Sequence, residues 1–224
     1  MPSSQSPVGA QKWVPERAHS LDELKAAAAH CQGCELYENA TQTVFGRGAA
    51  HAKIVFVGEQ PGDVEDQQGL PFVGPAGRLL REAVDAAGID PAGVYITNAV
   101  KHFRFEMRGR RRIHQTPGPA HIAACRPWLV AEFSQLRPDL VVVLGATAAK
   151  SLLGPAFRVT RSRGHLLPWP ASAQHPEDFP VAEIQVLATI HPSAVLRADD
   201  RDAAYQGLVD DLKVAAAAVG AGRG

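Results

Sequence analysis

The stretch of the sequence richest in charged and aromatic side chains is KHFRFEMRGRRRIHQTP, residues 101–117. It holds six lysines or arginines, two histidines and two phenylalanines, whereas basic and acidic residues balance over the whole chain. A chain without net charge has no global field to steer it to a polyanion, but a local basic patch can still bind one. Two interpretations stay open here: a solvated basic segment that tracks nucleic acid, or a loop in which His114 has a chemical role.

Cysteines and histidines form a second candidate site, with the chemistry of a metal centre. Cys31 and Cys34 make a CxxC pair, and Cys125 stands alone. An iron–sulfur cluster or a structural zinc usually takes four ligands, so a fourth is needed, and His30 and His102 are the candidates. A redox CxxC pair is an alternative, although the βαβ context of that motif is missing. Cys125 alone also fits a buried apolar residue.

Four short apolar runs are the elements that must position these residues. They are KIVFVG (53–58), VYITNAV (94–100), DLVVVLG (139–145) and IQVLATI (184–190), all rich in β-branched residues. Unbroken apolar runs of this length are typical of strands buried on both faces of a parallel sheet. Helical segments separate the runs. We therefore predict an α/β fold, a three-layer α/β/α sandwich around a four-stranded, mainly parallel sheet.

Polar residues follow the predicted strands. The segments just past the four strands are GEQPGD, NAVKH, GATAAK and HPS, and all but GATAAK are rich in polar or charged side chains. In open parallel sheets, ligands bind outside the carboxyl ends of the strands. The convergence of these segments predicts a functional site at that edge.

The remaining sequence indicates one domain between two short arms. We predict a flexible N-terminal arm at 1–18, a single domain at 19–218 whose first helix is capped by Ser20, and a flexible tail at 219–224. Apolar residues make up 46% of the chain, enough for one substantial core. No apolar run reaches the roughly 18 residues of a membrane span, and the N-terminus lacks the apolar core of a signal peptide. We expect a cytoplasmic monomer.

Six motifs together carry a resemblance to a known family: GEQPG, GLPFVGPAGRLL, NAVKH, ACRPWL, GATAAK and HPS. From about Cys31 to Asp211 the chain resembles the uracil-DNA glycosylase superfamily, and most closely its family 4 type with an iron–sulfur cluster. In that type a cluster cysteine follows the lysine of NAVK, where this chain has His102. The resemblance thus implies a structural [4Fe-4S] cluster and favours His102 over His30. The implied ligands are Cys31, Cys34, His102 and Cys125.

The resemblance also implies how uracil is recognised. A uracil must leave the base stack to be reached, so it is flipped into a pocket or taken from a single strand. Phe72 is the expected aromatic platform, and base stacking contributes about 1–3 kcal/mol. Asn98 is expected to accept a hydrogen bond from uracil N3–H and to donate one to O4. Gln60 and the adjoining PG turn are expected to present backbone N–H groups to the base.

Cleavage of the N-glycosidic bond places positive charge on the sugar and negative charge on the departing uracil. His191 is expected to stabilise the uracil anion by a hydrogen bond to O2, a term of about 3–4 kcal/mol per donor. Glu59 is expected to stabilise the sugar cation near C1′. Asp63 is a possible helper of Glu59. These three groups, with His114, form the predicted catalytic set.

The end of the basic stretch, RRRIHQTP, looks like the UdgX subgroup, whose members bind uracil-DNA covalently through a loop histidine. This implies that neutral His114 attacks C1′ before water does and leaves a stable protein–DNA adduct, since imidazole is about half or more unprotonated near pH 7. Arg110, Arg111 and Arg112, together with Ser193, are expected to contact the DNA. Arg112 is also expected to orient the histidine. The expected partner is uracil-containing DNA, preferably single-stranded.

Three other functions compete with covalent capture. The first is a turnover glycosylase of the same fold that releases uracil and an abasic site. The second is a non-enzymatic iron–sulfur module that binds nucleic acid with steep salt dependence and no uracil preference. The third, a nucleotide-binding α/β protein, lacks any G-x-G-x-x-G or Walker motif in its support.

Overall fold

A computed structural model describes residues 9–169 and 184–221. The strands are β1 Arg47–Gly48, β2 Ile54–Gly58, β3 Val94–Asn98, β4 Phe105–Arg108, β5 Arg111–His114, β6 Leu140–Leu144, β7 Leu166–Pro168 and β8 Gln185–Thr189. The helices are α1 Leu21–Ala28, α2 Asp63–Gln68, α3 Pro75–Ala86, α4 Pro119–Leu136, α5 Gly145–Leu153, α6 Val159–Ser162, α7 Pro192–Leu196 and α8 Arg201–Ala221.

The centre of the fold is a six-stranded sheet with the strand order β1–β3–β2–β6–β8–β7. The neighbours β3, β2, β6 and β8 are parallel, and each coincides with one of the four apolar runs. β1 and β7 add one antiparallel strand at each edge. The predicted α/β fold is confirmed, but the sheet has two more strands than expected. These strands of two and three residues are too short to carry a periodic signal.

Helices cover both faces of the sheet. Val55 and Val141 pack against α4 and α5 on one face, whereas Phe56 and Val142 pack against α3 and α8 on the other. Successive strand side chains point to opposite faces, so a strand covered on both sides must be apolar throughout. This arrangement makes the predicted three layers. It leaves the carboxyl ends of the parallel strands as an edge that helices do not cover.

The basic stretch contains a β-hairpin rather than an irregular loop. β4 and β5 pair antiparallel in a separate two-stranded sheet, with Phe105 opposite His114 at the base and two arginines opposite each other at the tip. Gly109 has a φ of 62°, the left-handed conformation that a two-residue hairpin turn requires. Residues that lie opposite each other share a face of the hairpin, so the positions of its arginines alternate between an inner and an outer face.

The N-terminal region packs near the CxxC pair. Ser20 caps α1 as predicted, with its hydroxyl accepting a backbone N–H from the first turn at 3.2 Å. Residues 10–13, part of the predicted flexible arm, form a 3-10 turn against α4, and Ala10 is buried. A side chain at Gly33 would lie 2.7 Å from the Ala10 nitrogen, so the glycine makes this contact possible. Residues 1–8 of the predicted arm lie outside the described residues.

The last helix, α8, has 21 residues and packs its leucines on the sheet. It continues to Ala221, into the predicted tail at 219–224, whose last three residues lie outside the described part. Among residues 9–169 and 184–221, no helix is both long and apolar enough to cross a membrane.

Candidate active site at the carboxyl edge of the sheet

A cavity of about 590 Å³ opens at the carboxyl ends of the parallel strands. Seven of the predicted site residues line it: Glu59, Gln60, Phe72, Asn98, His114, His191 and Ser193. They come from the ends of β2, β3 and β5, from the segment before α3, and from the start of α7. Asp63 and the three hairpin arginines 110–112 do not line this cavity.

Phe72 forms one wall of the cavity, on an unusual backbone. Its φ is 53°, a left-handed value that a bulky residue rarely adopts. The guanidinium of Arg81 donates to the Phe72 carbonyl at 3.0 Å. Gly77 packs directly under that carbonyl, where any Cβ would overlap it. The ring centroid of Phe72 lies 5.9 Å from that of His191. These contacts hold an aromatic face towards the interior of the cavity.

Asn98 ends β3 with an unsatisfied amide oxygen. Its Oδ1 is buried and has no hydrogen-bond partner among the described residues. Gly58 makes room for this group, because a Cβ there would lie 2.3 Å from Oδ1 and 2.6 Å from Cζ of Phe72. An orphaned buried acceptor is costly and calls for a partner. A ligand N–H beside the Phe72 ring would satisfy it.

The side chain of Gln60 fastens the hairpin to the sheet. Its Nε2 donates to the carbonyls of Arg104 and Gln115, both at 3.1 Å, and its Oε1 accepts from the Arg104 N–H at 3.0 Å. Arg104 and Gln115 flank the two ends of the hairpin. The Gln60 amide thus positions the base of the hairpin, which carries His114, relative to the cavity.

His114 and Glu59 face each other in the cavity. The Nε2 of His114 lies 3.5 Å from Oε1 of Glu59, and this buried carboxylate oxygen makes no hydrogen bond among the described residues. The His114 side chain is 49% exposed. Burial lowers the pKa of His114, the Glu59 carboxylate opposes that effect, and Arg197 adds to the lowering. The lowered pKa favours the neutral form of the ring.

His191 is held as a neutral hydrogen-bond donor. Its Nδ1 accepts the backbone N–H of Ser193 at 3.1 Å and lies 2.8 Å from the Ser193 hydroxyl. Burial lowers the pKa of His191 to about 4, with smaller contributions from Arg197 and His114. Since Nδ1 accepts, the single proton of the neutral ring sits on Nε2. Ser193, expected to contact DNA, thus orients this histidine.

Arg112 is engaged within the protein, as is Asp63. The Arg112 Nε lies 2.5 Å from Asp63 Oδ1, and its Nη1 lies 2.6 Å from Asp66 Oδ2. The guanidinium also covers the rings of Phe103 and Phe105. This arrangement ties the inner face of the hairpin to α2, close to His114. The structure thus places Asp63 beside the arginine rather than beside Glu59 in the cavity.

The other two predicted arginines, Arg110 and Arg111, lie exposed at the hairpin tip. Arg111 is opposite Arg108 in the hairpin pairing. Arg197 is a cavity residue that we did not predict. It follows the HPS motif at the end of α7, and its charge lowers the pKa of both cavity histidines. A basic residue six positions after His191 was the available signal.

The three cysteines are buried in one apolar cluster. N–H groups point to two of the sulfurs. Trp128 Nε1 lies 3.2 Å from Cys31 Sγ, and the backbone nitrogen of Lys101 lies 3.2 Å from Cys125 Sγ. Burial raises the pKa of Cys34 to about 11 and that of Cys125 to about 12. N–H groups directed at sulfur are a feature of cluster ligands. The sulfur-directed N–H groups fit cluster ligands, whereas the raised thiol pKa values oppose the thiolate form that ligation requires.

The fourth position fits less well. His102 is buried, and burial lowers its pKa to about 4, so its ring is neutral as a metal ligand must be. Its Nε2, however, lies 2.9 Å from the Thr43 hydroxyl, whose own proton goes to the Ala28 carbonyl at 2.8 Å. Within the described residues, no three His, Cys, Asp or Glu side chains are grouped in a metal-binding arrangement.

A buried ion pair connects the cysteine cluster to the end of β3. Lys101 Nζ lies 2.6 Å from Glu132 Oε2, and the two side chains are 1% and 0% exposed. The same ammonium group donates to the Asn98 carbonyl at 2.8 Å and to Thr97 Oγ1 at 2.6 Å. This pair lies behind the strand end that carries the Asn98 amide. The Glu132 carboxylate compensates the ammonium charge, which explains how the lysine of NAVKH is tolerated in the core.

The fold and the cavity define a class of α/β protein with a ligand-sized site at the carboxyl edge of its sheet. The site combines an aromatic face, an unsatisfied amide and two neutral histidines. The chain belongs to the uracil DNA glycosylase superfamily, whose family model matches residues 45–213. That match begins after the CxxC pair, so it includes Cys125 but neither Cys31 nor Cys34.

Similar proteins carry a more specific name. The type-4 uracil-DNA glycosylase of Thermotoga maritima is 39% identical over 182 residues, 81% of this chain and 85% of that protein. Those of Sulfurisphaera tokodaii and Archaeoglobus fulgidus are 35% and 34% identical. The alignments cover 79% of this chain in both cases, and 76% and 83% of the respective relatives.

Proposed function

We propose that the protein is a uracil-DNA glycosylase that removes uracil from DNA in repair. The relatives named type-4 uracil-DNA glycosylase support this activity. The observation that carries the proposal is the unsatisfied Oδ1 of Asn98 beside the ring of Phe72. In this arrangement uracil stacks on Phe72, gives its N3–H to Oδ1 and accepts at O4 from the amide nitrogen. Cytosine lacks an N3–H, so it leaves the buried oxygen unpaired.

Bond cleavage uses His191 and Glu59 to stabilise charges of opposite sign. The Nε2–H of His191 donates to uracil O2, where negative charge grows as the bond breaks, and such a donor contributes about 3–4 kcal/mol. Glu59 supplies a carboxylate for the sugar cation. Its buried Oε1 has no hydrogen bond to weaken that charge. Because the pKa of His191 is about 4, the ring remains a neutral donor at pH 7.

The fate of the sugar cation separates two candidate functions. The names of the relatives favour turnover, in which water attacks C1′ and the enzyme releases uracil and an abasic site. Covalent capture by His114, as in the UdgX subgroup, is the second candidate. The observation that favours it is the position of His114 on the cavity, 3.5 Å from Glu59, with a half-exposed and neutral ring. Such a ring competes directly with water for C1′.

A single-stranded oligonucleotide with one uracil tests both candidates. Uracil release measures the proposed activity, and a protein–DNA band on a denaturing gel measures capture. Turnover predicts many uracils released per protein and no such band. Capture predicts one uracil per protein and a band that His114→Ala abolishes. His51→Ala, which removes an exposed histidine before β2, is the matched control. Absence of uracil release by the wild-type protein would contradict the proposed function itself.

We also propose a structural [4Fe-4S] cluster held by Cys31, Cys34, Cys125 and His102. The buried thiols with sulfur-directed N–H groups support it, while the Thr43 contact means that His102 must release a hydrogen bond to ligate. The cluster would join the N-terminal region to α4 and to the segment before the hairpin. Brown colour and about four iron atoms per chain are the expected results for the purified protein.

The DNA contacts remain part of the proposal. Exposed Arg110 and Arg111 at the hairpin tip are suited to phosphates, which position the strand without reading its sequence. A single strand spares the enzyme the cost of unpairing the base, so we propose that single-stranded DNA is preferred. We propose that the protein acts as a monomer. Comparison of excision from matched single and double strands, together with sedimentation of the free protein, tests these points.

A further inference from the structure

A second cavity, of about 450 Å³, lies beside the active-site cavity. Thr116 and Thr147 line both cavities, so the two adjoin. One wall of the second cavity is a face of α4 and the other is a face of α5. The second cavity is therefore the neighbouring site for a strand that leaves the active-site cavity on this side.

The walls of this cavity suit a flat apolar group. Pro119, Ile122 and Ala123 supply the α4 wall at the spacing of one helical face, and Pro117 and Pro155 also line the cavity. Their side chains have no hydrogen-bonding atoms, so they offer packing surface without reading the edge of a base. Packing of this kind contacts the face of a base and not its hydrogen-bonding edge, so it accepts every nucleobase.

The polar part of the second cavity is basic. Lys150 is exposed on α5, and Arg126 on α4 donates to the Ser151 carbonyl at 3.1 Å. None of the lining residues that the structure describes is acidic. An apolar interior beside the exposed Lys150 ammonium matches a nucleotide, with its base inside and its phosphate at the lysine.

We propose that the second cavity binds the base next to the uracil on the same strand, while Lys150 contacts a phosphate beside that base. The inference rests on the proposed function, because the uracil pocket fixes where the strand begins. It commits to a nucleotide because the cavity is continuous with that pocket and has complementary charge. The neighbouring base is bound for its apolar faces, so its presence matters more than its identity.

Single-turnover uracil release by the wild-type protein tests this subsite through the substrate. Oligonucleotides with one uracil carry a baseless spacer at the position before it, after it, or two positions away. We expect about tenfold slower release for the spacer on one immediate side, with the protein in excess of the oligonucleotide but below saturation. Spacers elsewhere, and exchanges among the four bases at the sensitive position, should change the rate by about twofold or less. Equal rates for both neighbouring spacers and the intact strand overturn the subsite.

Two variants link the effect to this cavity. Ala123→Phe fills the cavity from an exposed helical position and should make release insensitive to the neighbouring spacer, whereas Ala86→Phe, at an exposed site on α3, should retain the sensitivity. Lys150→Ala should reduce the salt dependence of binding by about one ion, unlike Lys53→Ala at the opposite edge of the sheet. Full spacer sensitivity in a folded Ala123→Phe protein overturns the assignment. Failure of wild-type protein on every uracil strand is a different result, which refutes the proposed function as well.

Discussion

Replacement of Lys101 by methionine should destabilise the protein far more than loss of a surface lysine. The Lys101 ammonium lies 2.6 Å from the Glu132 carboxylate, and neither side chain is more than 1% exposed. Methionine retains much of the apolar stem but removes the charge. The Glu132 carboxylate then stays in the core without its counter-charge.

The surroundings of Glu132 set the size of the effect. Breaking a buried ion pair by removing one partner costs about 3–5 kcal/mol, since the remaining charge is uncompensated. The hydroxyls of Tyr95 and Thr97 and the N–H of Gly46 still donate to the carboxylate. We therefore expect a loss near the lower end, about 3 kcal/mol. A double variant with Glu132→Gln removes both charges and should recover half or more of that loss.

Urea denaturation followed by circular dichroism measures these differences. Lys53→Met is the matched control, because Lys53 pairs with Asp139 at 3.0 Å where both side chains are more than half exposed. Such a surface pair contributes about 0–1 kcal/mol. The reasoning is refuted if Lys101→Met loses no more stability than Lys53→Met. It is also refuted if the double variant is no more stable than Lys101→Met alone.

Three further predictions concern the site. Arg112→Ala frees the inner face of the hairpin from α2, and the misplaced hairpin should slow uracil release about tenfold or more. Amide hydrogen exchange in the hairpin should become faster in this variant. Arg111→Ala, at the exposed tip, should leave that exchange unchanged. Gly58→Ala places a Cβ 2.3 Å from Oδ1 of Asn98 and should abolish uracil release. The control Gly93→Ala meets no atom within 4 Å and should be active. An active Gly58→Ala protein would contradict the pocket geometry. Burial lowers the pKa of His191 from its ordinary 6.5 to about 4, so between those values the unfolded chain binds a proton that the folded chain does not. Stability in urea should therefore fall as pH decreases from about 6.5 towards 4. Burial lowers the pKa of His102 to about 4 as well, so His191→Asn should keep part of this fall, and an undiminished fall in that variant would contradict the assignment.

The sheet was predictable because its signal is local and strong. Each of the four central strands lies within one apolar run, and a strand buried on both faces must be apolar at every position. The edge strands β1 and β7 were missed, since two or three residues carry no periodic pattern. The hairpin of the basic stretch was missed because its charges dominate a short alternation of aromatic and polar residues. Gly109 was the local sign of its turn.

The sequence predicted which residues form the site better than it predicted the contacts between them. Residues at the carboxyl ends of parallel strands must meet at one edge, which placed Glu59, Asn98 and His191 together before any coordinates. The sequence did not reveal that Asp63 is held by Arg112, because those residues are far apart in the chain and pair only through the hairpin. Charge alone does not tell an arginine that binds DNA from one that binds its own protein.

The sequence by itself determined the α/β class, the strands of the sheet centre and the edge where polar groups gather, since these follow from local patterns of apolar and polar residues. Only the tertiary structure decided which groups are left unsatisfied and which are used internally. The unsatisfied amide oxygen of Asn98, the proton position on His191, the hairpin tied to α2 and the second cavity all depend on packing between distant segments. A linear pattern specifies which face a residue takes, but the partner on that face is fixed by the folded chain.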